Sequence, residues 1–220
     1  MDKEKLVIFD MDGVIFDSER AVFSLWKEMA DKLGLENIEE LYMKTVGVNV
    51  NKTRELFLEQ YGEDFPFDRL RDELFEEYHR RYDGGRLPVK KGVRELLDAL
   101  KEDGWRMAMA SSTQSDMVRD QLRDAGVLDY YDVVVGGEMV RKSKPDPEIF
   151  LEAAKLLGGE PRDIYVIEDS FNGIRAAFAG GFMPLMVPDM LPADDEMRRK
   201  ALRIFDDLFG AKEFLTGGGE

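Results

Sequence analysis

The sequence predicts an α/β fold: a doubly wound parallel sheet with a block of helices inserted after its first strand. Three observations carry that expectation. The apolar run Leu6-Val7-Ile8-Phe9 stops at Asp10, and only helical patterns follow it as far as Gly84. From Pro88 onward, strand-like and helix-like segments alternate, and repeated β-α units imply parallel strands with helices on both faces. At 220 residues, the chain is long enough for a core with a smaller insert.

In chain order, residues 6–9 form a short continuous apolar run, the pattern of a strand buried on both faces. Val22, Leu25, Trp26, Met29, Ala30 and Leu33 fall three and four apart before Gly34, so residues 19–33 read as an amphipathic helix. Similar patterns cover roughly residues 39–45, 52–61 and 67–82, the last with Leu70, Leu74, Phe75 and Tyr78 on one stripe. Their spacing assigns Trp26, Met29 and Phe75 to the interior of the insert. Gly84-Gly85-Arg86-Leu87-Pro88 then ends the insert, since paired glycines loosen the chain and proline resists helix continuation.

Beyond it the expected order is helix 93–102, strand 106–110, helix 115–125, strand 133–135, helix 147–157, strand 164–167, helix 172–179 and strand 183–187. Weaker elements lie between residues 203 and 214. Gly217-Gly218-Gly219 before Glu220 reads as a flexible tail.

Composition removes several function classes. Cysteine is absent, which excludes disulfides, a thiol nucleophile and thiolate metal sites. Acidic residues outnumber basic ones 46 to 31, giving a net charge of −15, the reverse of a nucleic-acid binder. An anionic substrate remains compatible with that charge, because a bound cation inverts the field in one cleft. No apolar run approaches the roughly 18 residues of a membrane span, and the first residues lack a signal-peptide pattern. The expectation is a cytoplasmic monomer with neither nucleic-acid nor membrane partners.

Ligands of such sheets bind beyond the carboxyl ends of the strands, so the strand-ending residues are informative. They are Asp10 and Asp12, Ser111 and Ser112, and Glu168 with Asp169; Lys144 joins them from the loop before Pro145. Asp10 and Asp12 suit a nucleophilic carboxylate and a neighbouring acid and base, or equally a turn cap and a solvated side chain. Glu168-Asp169 offers hard oxygen ligands for Mg²⁺, or a cap for the next helix supplied by Asp169 or Ser170. Ser111-Ser112-Thr113 suits an anion at a helix start and equally an ordinary cap. Lys144 suits a phosphate partner or a solvated loop lysine. Their joint placement favours chemistry.

Asp10-Met11-Asp12-Gly13-Val14, Ser111, Lys144-Pro145-Asp146-Pro147-Glu148-Ile149-Phe150 and Glu168-Asp169-Ser170 with Gly173-Ile174 and Ala176-Ala177 resemble the ordered motifs of the haloacid dehalogenase superfamily. The resemblance runs essentially end to end and is strongest to the branch of β-phosphoglucomutases and small sugar-phosphate phosphatases. It implies a Rossmann-like core of residues 1–15 and 86–220, with residues 16–85 as a four-helix cap. It also implies Asp10 as nucleophile, Asp12 as acid and base, and Ser111 and Lys144 as phosphate holders. Mg²⁺ would be held by Asp10, Asp169 and the Asp12 carbonyl, with Glu168 a direct ligand or one step behind.

The mutases of this branch carry a cap histidine and a Gly-x-x-Arg element, whose positions here are Val22 and, after Gly47, Val50. Those losses favour hydrolysis of a small phosphorylated metabolite over mutase chemistry, because a mutase must keep water from its aspartyl-phosphate. A sugar-phosphate mutase and a non-catalytic binding module are the alternatives. Gly47, Asn49, Ser112 and His79 are further candidate substrate contacts, although His79 also suits the outward face of a charged helix.

Overall fold

The computed structural model describes residues 4–48 and 50–217. Asn49 and the end of the glycine tail lie outside them. Leu6–Phe9 (β1) is buried at every position, which is why its sequence is continuously apolar and not alternating. The other strands are Arg106–Ala110 (β2), Val133–Val135 (β3), Ile164–Glu168 (β4), Met183–Met186 (β5) and Arg203–Ile204 (β6). All pair in parallel in the order β3-β2-β1-β4-β5-β6. The strand order therefore reverses at β1, where such sheets open a crevice.

Register fixes what lines that crevice. Phe9 sits level with Met109 on one side and Ile167 on the other, so the residues after these strands emerge on a common rim.

Among the described residues, the α-helices are Ser18–Leu33 (α1), Ile38–Thr45 (α2), Val50–Tyr61 (α3), Phe67–Tyr82 (α4), Val93–Glu102 (α5), Ser115–Asp124 (α6), Glu148–Leu157 (α7), Phe171–Ala179 (α8), Asp195–Lys200 (α9) and Leu208–Leu215 (α10). Residues alternate across the sheet, as strand geometry requires. Leu6, Ile8, Ala108 and Val166 pack with Phe150 and Ala153 of α7 and Ala177 of α8. Val7, Phe9, Met107 and Met109 pack on the opposite side with Leu97 and Leu100 of α5, Leu122 of α6 and Ala211 of α10.

The helical insert, α1 to α4, has an aromatic centre. Phe57 is fully buried, with ring centroids 4.7 Å from Trp26 and 5.0 Å from Phe67. Two adjacent connections join the insert to the sheet. Asp17 N–H donates to the Pro88 carbonyl at 2.9 Å and Lys90 N–H to the Ile15 carbonyl at 2.9 Å, with Phe16 paired antiparallel to Val89.

Three sequence expectations need correction. Phe75 is not interior: it is 44% exposed, because Leu70, Leu74 and Tyr78 form the buried stripe and Phe75 lies about 100° further round the helix. The strand of residues 164–167 continues to Glu168, carried by pairing with Met186. Helix α9 was not anticipated; six residues are too few to show a period, and only its cap, where Asp194 accepts from Met197 N–H, marks it.

Phe57→Ala is expected to cost about 3–5 kcal/mol by leaving a cavity among the rings. Urea unfolding followed by far-UV circular dichroism checks this, and an unchanged midpoint would mean the rings are not the core of the insert.

Candidate active site

Lys144 is the centre of the arrangement. Its Nζ lies 2.5 Å from Asp10 Oδ1 and 2.7 Å from Glu168 Oε1, and 4.7 Å from the centre of the Phe150 ring. The loop that carries it is pinned from within. The Glu148 carboxylate accepts the backbone N–H groups of Arg141 and Lys142 at 3.1 and 2.9 Å, and Asp146 accepts Glu148 N–H at 3.1 Å. Acidic side chains thus order a stretch that would otherwise be a loose polar loop.

Glu168 is almost wholly buried. Its second oxygen accepts the Ser170 N–H and hydroxyl at 2.8 and 2.9 Å, while the same Ser170 oxygen accepts Gly173 N–H and caps α8. Gly173 is required here: a Cβ would lie 1.7 Å from Glu168 Oε1. Of the two capping candidates read from the sequence, the structure uses Ser170. Asp169 is left with no hydrogen-bond or salt-bridge partner among the described residues.

Asp12 Oδ1 accepts the Ser18 hydroxyl at 2.7 Å and Oδ2 the Thr113 hydroxyl at 3.4 Å. The turn after it needs Gly13 twice over. Its φ is +77°, which a side chain disfavours, and a Cβ would lie 2.2 Å from Asp169 Oδ2.

Electrostatically the cluster lacks positive charge. Burial pushes the Asp10 carboxyl up to about 8; Lys144 opposes that shift, while Glu168 and Asp12 add to it. Burial also raises Asp12, against the Ser18 hydroxyl. Asp169 is raised by burial and then by the charges of Glu168 and Asp10. For Lys144, burial acts to lower the pKa, but Asp10 and Glu168 outweigh it and hold the ammonium above its usual range. One oxygen from each of Asp10, Glu168 and Asp169 falls within 4.8 Å of the others. Hard oxygens in excess of cations, one of them unpartnered, fit a small dication such as Mg²⁺.

Around this cluster lies a cavity of about 760 Å³ bordered by Asp10, Asp12, Ser112, Lys144, Glu168 and Asp169, with Gly47 on the insert side. Ser111 is placed differently. It is fully buried behind the rim, its Oγ accepting Thr113 N–H at 3.1 Å, and Ser112 reaches the cavity. His79 lies on a smaller cavity on the other side of Asp12, with Nδ1 3.1 Å from Asp83 Oδ1. Asn49 lies outside the described residues.

Sequence reasoning missed Glu19, Tyr42, Asn172 and Arg175, all of which border the large cavity. Burial raises the Glu19 carboxyl, opposed by the Tyr42 hydroxyl. Asn172 Nδ2 donates to the Gly47 carbonyl at 2.6 Å, a direct bond from core to insert.

Comparison with known proteins gives the family. Residues 4–181 match the haloacid dehalogenase-like hydrolases. The chain belongs to that family. A phosphorylated carbohydrates phosphatase of Thermotoga maritima is 33% identical to this hydrolase over 175 residues, covering 80% of this chain and 81% of that one. A β-phosphoglucomutase of Bacillus subtilis is 30% identical over 206 residues, covering 89% of each. The crystal structure of a haloacid dehalogenase family hydrolase from Deinococcus radiodurans, with bound phosphate and sodium, superposes with a TM-score of 0.83 at 26% identity. It covers 100% of this chain and 98% of that one. Family and phosphatase relative bear out the expectation of a phosphoric monoester hydrolase and of a Rossmann-like α/β fold. Among the described residues, no helix of the hydrolase is long and apolar enough to cross a membrane.

The raised carboxyls set a pH dependence. A group raised from 3.8 to about 8 keeps its proton in the folded state where the unfolded chain has lost it, so stability falls as pH rises across that window. The metal-free protein is expected to melt at lower temperature at about pH 8 than at about pH 5, and Mg²⁺ to raise the midpoint more at the higher pH. Differential scanning calorimetry with and without EDTA checks both signs.

Proposed function

We propose that this hydrolase is a Mg²⁺-dependent phosphatase of small phosphorylated metabolites, sugar phosphates among them, acting as a cytoplasmic monomer through an aspartyl-phosphate on Asp10. The observation that carries the reading is the Lys144 ammonium fixed between Asp10 and Glu168, with the unpartnered Asp169 beside them. Asp10 and Asp169 would hold the metal with the Asp12 carbonyl. Glu168, whose oxygens already accept Lys144 and Ser170, orients Lys144 from behind. Bound Mg²⁺ would supply charge neutralisation for the phosphate and for the carboxylates facing it.

The side chains divide the work between them. An Asp10 oxygen attacks phosphorus as the bond to the leaving oxygen breaks, and that oxygen takes a proton from Asp12. Water then attacks the same phosphorus, gives its proton to Asp12 and releases phosphate, regenerating the Asp10 carboxylate. Ser18 and Thr113 hold Asp12 in place, Lys144 offsets charge on the phosphoryl oxygens, and Ser112 from the cavity wall and Ser111 from behind it offer hydroxyls to them. Residues 16–85 serve as a cap over a core of residues 1–15 and 86–220. Gly47 borders the substrate, and His79 lies beyond Asp12.

Hydrolysis is favoured over the mutase reading by what stands at the two mutase positions. Val22 borders the smaller cavity without a titratable group, and Val50 is 45% exposed at the start of α3. A complete clamp argues against a non-catalytic module.

Asp10→Asn is expected to lower turnover of phosphate esters by roughly a thousandfold or more, read as phosphate release. Full activity in that variant would remove Asp10 from the nucleophile's role. Wild-type activity should vanish with EDTA and return with Mg²⁺; hydrolysis that persists without a divalent ion would refute the metal assignment.

A further inference from the structure

On the phosphatase reading, the cleft must also hold the alcohol half of the ester. We infer that this alcohol is uncharged and hydroxyl-bearing, and that Glu19 enforces the choice by turning away esters with a second anionic group.

The charge inventory of the large cavity carries this. Its described lining has two cations, Lys144 and Arg175, against five carboxylates. Both cations are committed. Lys144 is bound by Asp10 and Glu168. The Arg175 guanidinium grips both oxygens of Glu196 at 2.9 and 2.5 Å and reaches Asn172 Oδ1 at 3.2 Å. On the insert side, the described residues are Glu19, Tyr42, Thr45, Val46, Gly47 and Val48, so the single formal charge there is negative. A distal phosphate or carboxylate entering this space would lose water and find no free cation among the described residues, and it would face a carboxylate of its own sign.

Glu19 is also placed to favour the neutral alternative. Tyr42 Oη lies 3.1 Å from Glu19 Oε2 and 3.1 Å from the Glu19 carbonyl, which fixes the side chain, while Oε1 has no partner among the described residues. A held acceptor with one open oxygen suits a hydroxyl donor. Asp12 and Glu19 are the two residues that border both the large cavity and the smaller one of about 250 Å³. Whichever side the alcohol occupies while Asp12 protonates its oxygen, Glu19 flanks it. The smaller cavity brings His79, whose Nδ1 is already bonded to Asp83, and so adds no unpaired cation.

Matched esters test this directly. Glycerol 3-phosphate and 3-phosphoglycerate share a three-carbon skeleton and differ by a carboxylate in place of a hydroxymethyl group. With saturating Mg²⁺, the wild type is expected to favour glycerol 3-phosphate in kcat/KM by roughly tenfold or more. Glu19→Gln should narrow that ratio by about tenfold, chiefly by improving turnover of 3-phosphoglycerate. Val48→Lys, which places a cation on the exposed cap rim of the cavity and leaves Glu19 intact, should narrow it in the same direction even if Glu19→Gln fails to fold. Equal or better wild-type turnover of 3-phosphoglycerate, or an unchanged ratio in both variants, overturns the inference while leaving the phosphatase standing. No phosphate released from either ester or from p-nitrophenyl phosphate would bring down the phosphatase reading itself, and this inference with it.

Discussion

A buried ammonium held between two buried carboxylates constrains everything around it. Lys144, Asp10 and Glu168 come from three separate stretches of chain, and leaving one member of such a cluster without its partner costs about 3–5 kcal/mol. Strands β1 and β4 must therefore end level, and the loop before α7 must hold its lysine still. The register of Phe9 with Ile167 meets the first demand. The amides gathered by Glu148 meet the second. Close approach at Gly13 and Gly173 completes the packing, since a Cβ at either position would collide with the carboxylate of Asp169 or Glu168.

That constraint explains how an acidic protein handles an acidic substrate. The chain carries a net charge of −15, and the cleft is itself short of cations, yet its excess of oxygen donors is what a hard dication requires. Whole-molecule charge says little about such a site. What matters is the sign of the field at the rim, where a bound dication would add to the charge of Lys144.

Much of the fold was legible because its signals are local. The apolar run of β1, the three-and-four spacing of α1 and α4, and the alternation after Pro88 each reflect burial of a face. The rim residues were legible for a related reason: parallel strands of equal register deliver their final residues to one edge. Less legible were features that exist only after distant segments meet. Nothing near Glu19 announces Tyr42, and nothing near Asn172 announces the Gly47 carbonyl. The serines illustrate the same limit, because two adjacent hydroxyls at a strand end look alike in sequence while only Ser112 reaches the cavity. Phe75 shows that a helical stripe has an edge: one place beyond it, this ring is partly exposed and borders the smaller cavity beside Asp12.

The paired connections between insert and sheet have an architectural implication. The chain leaves the core at Ile15 and Phe16 and rejoins it at Val89 and Lys90, zipped side by side by backbone bonds that ignore side-chain identity. Such a seam presents the same footprint to whatever is sewn into it. A different helical block with neighbouring ends would fit the same seam while β1, β4 and the lysine bridging their ends stay undisturbed.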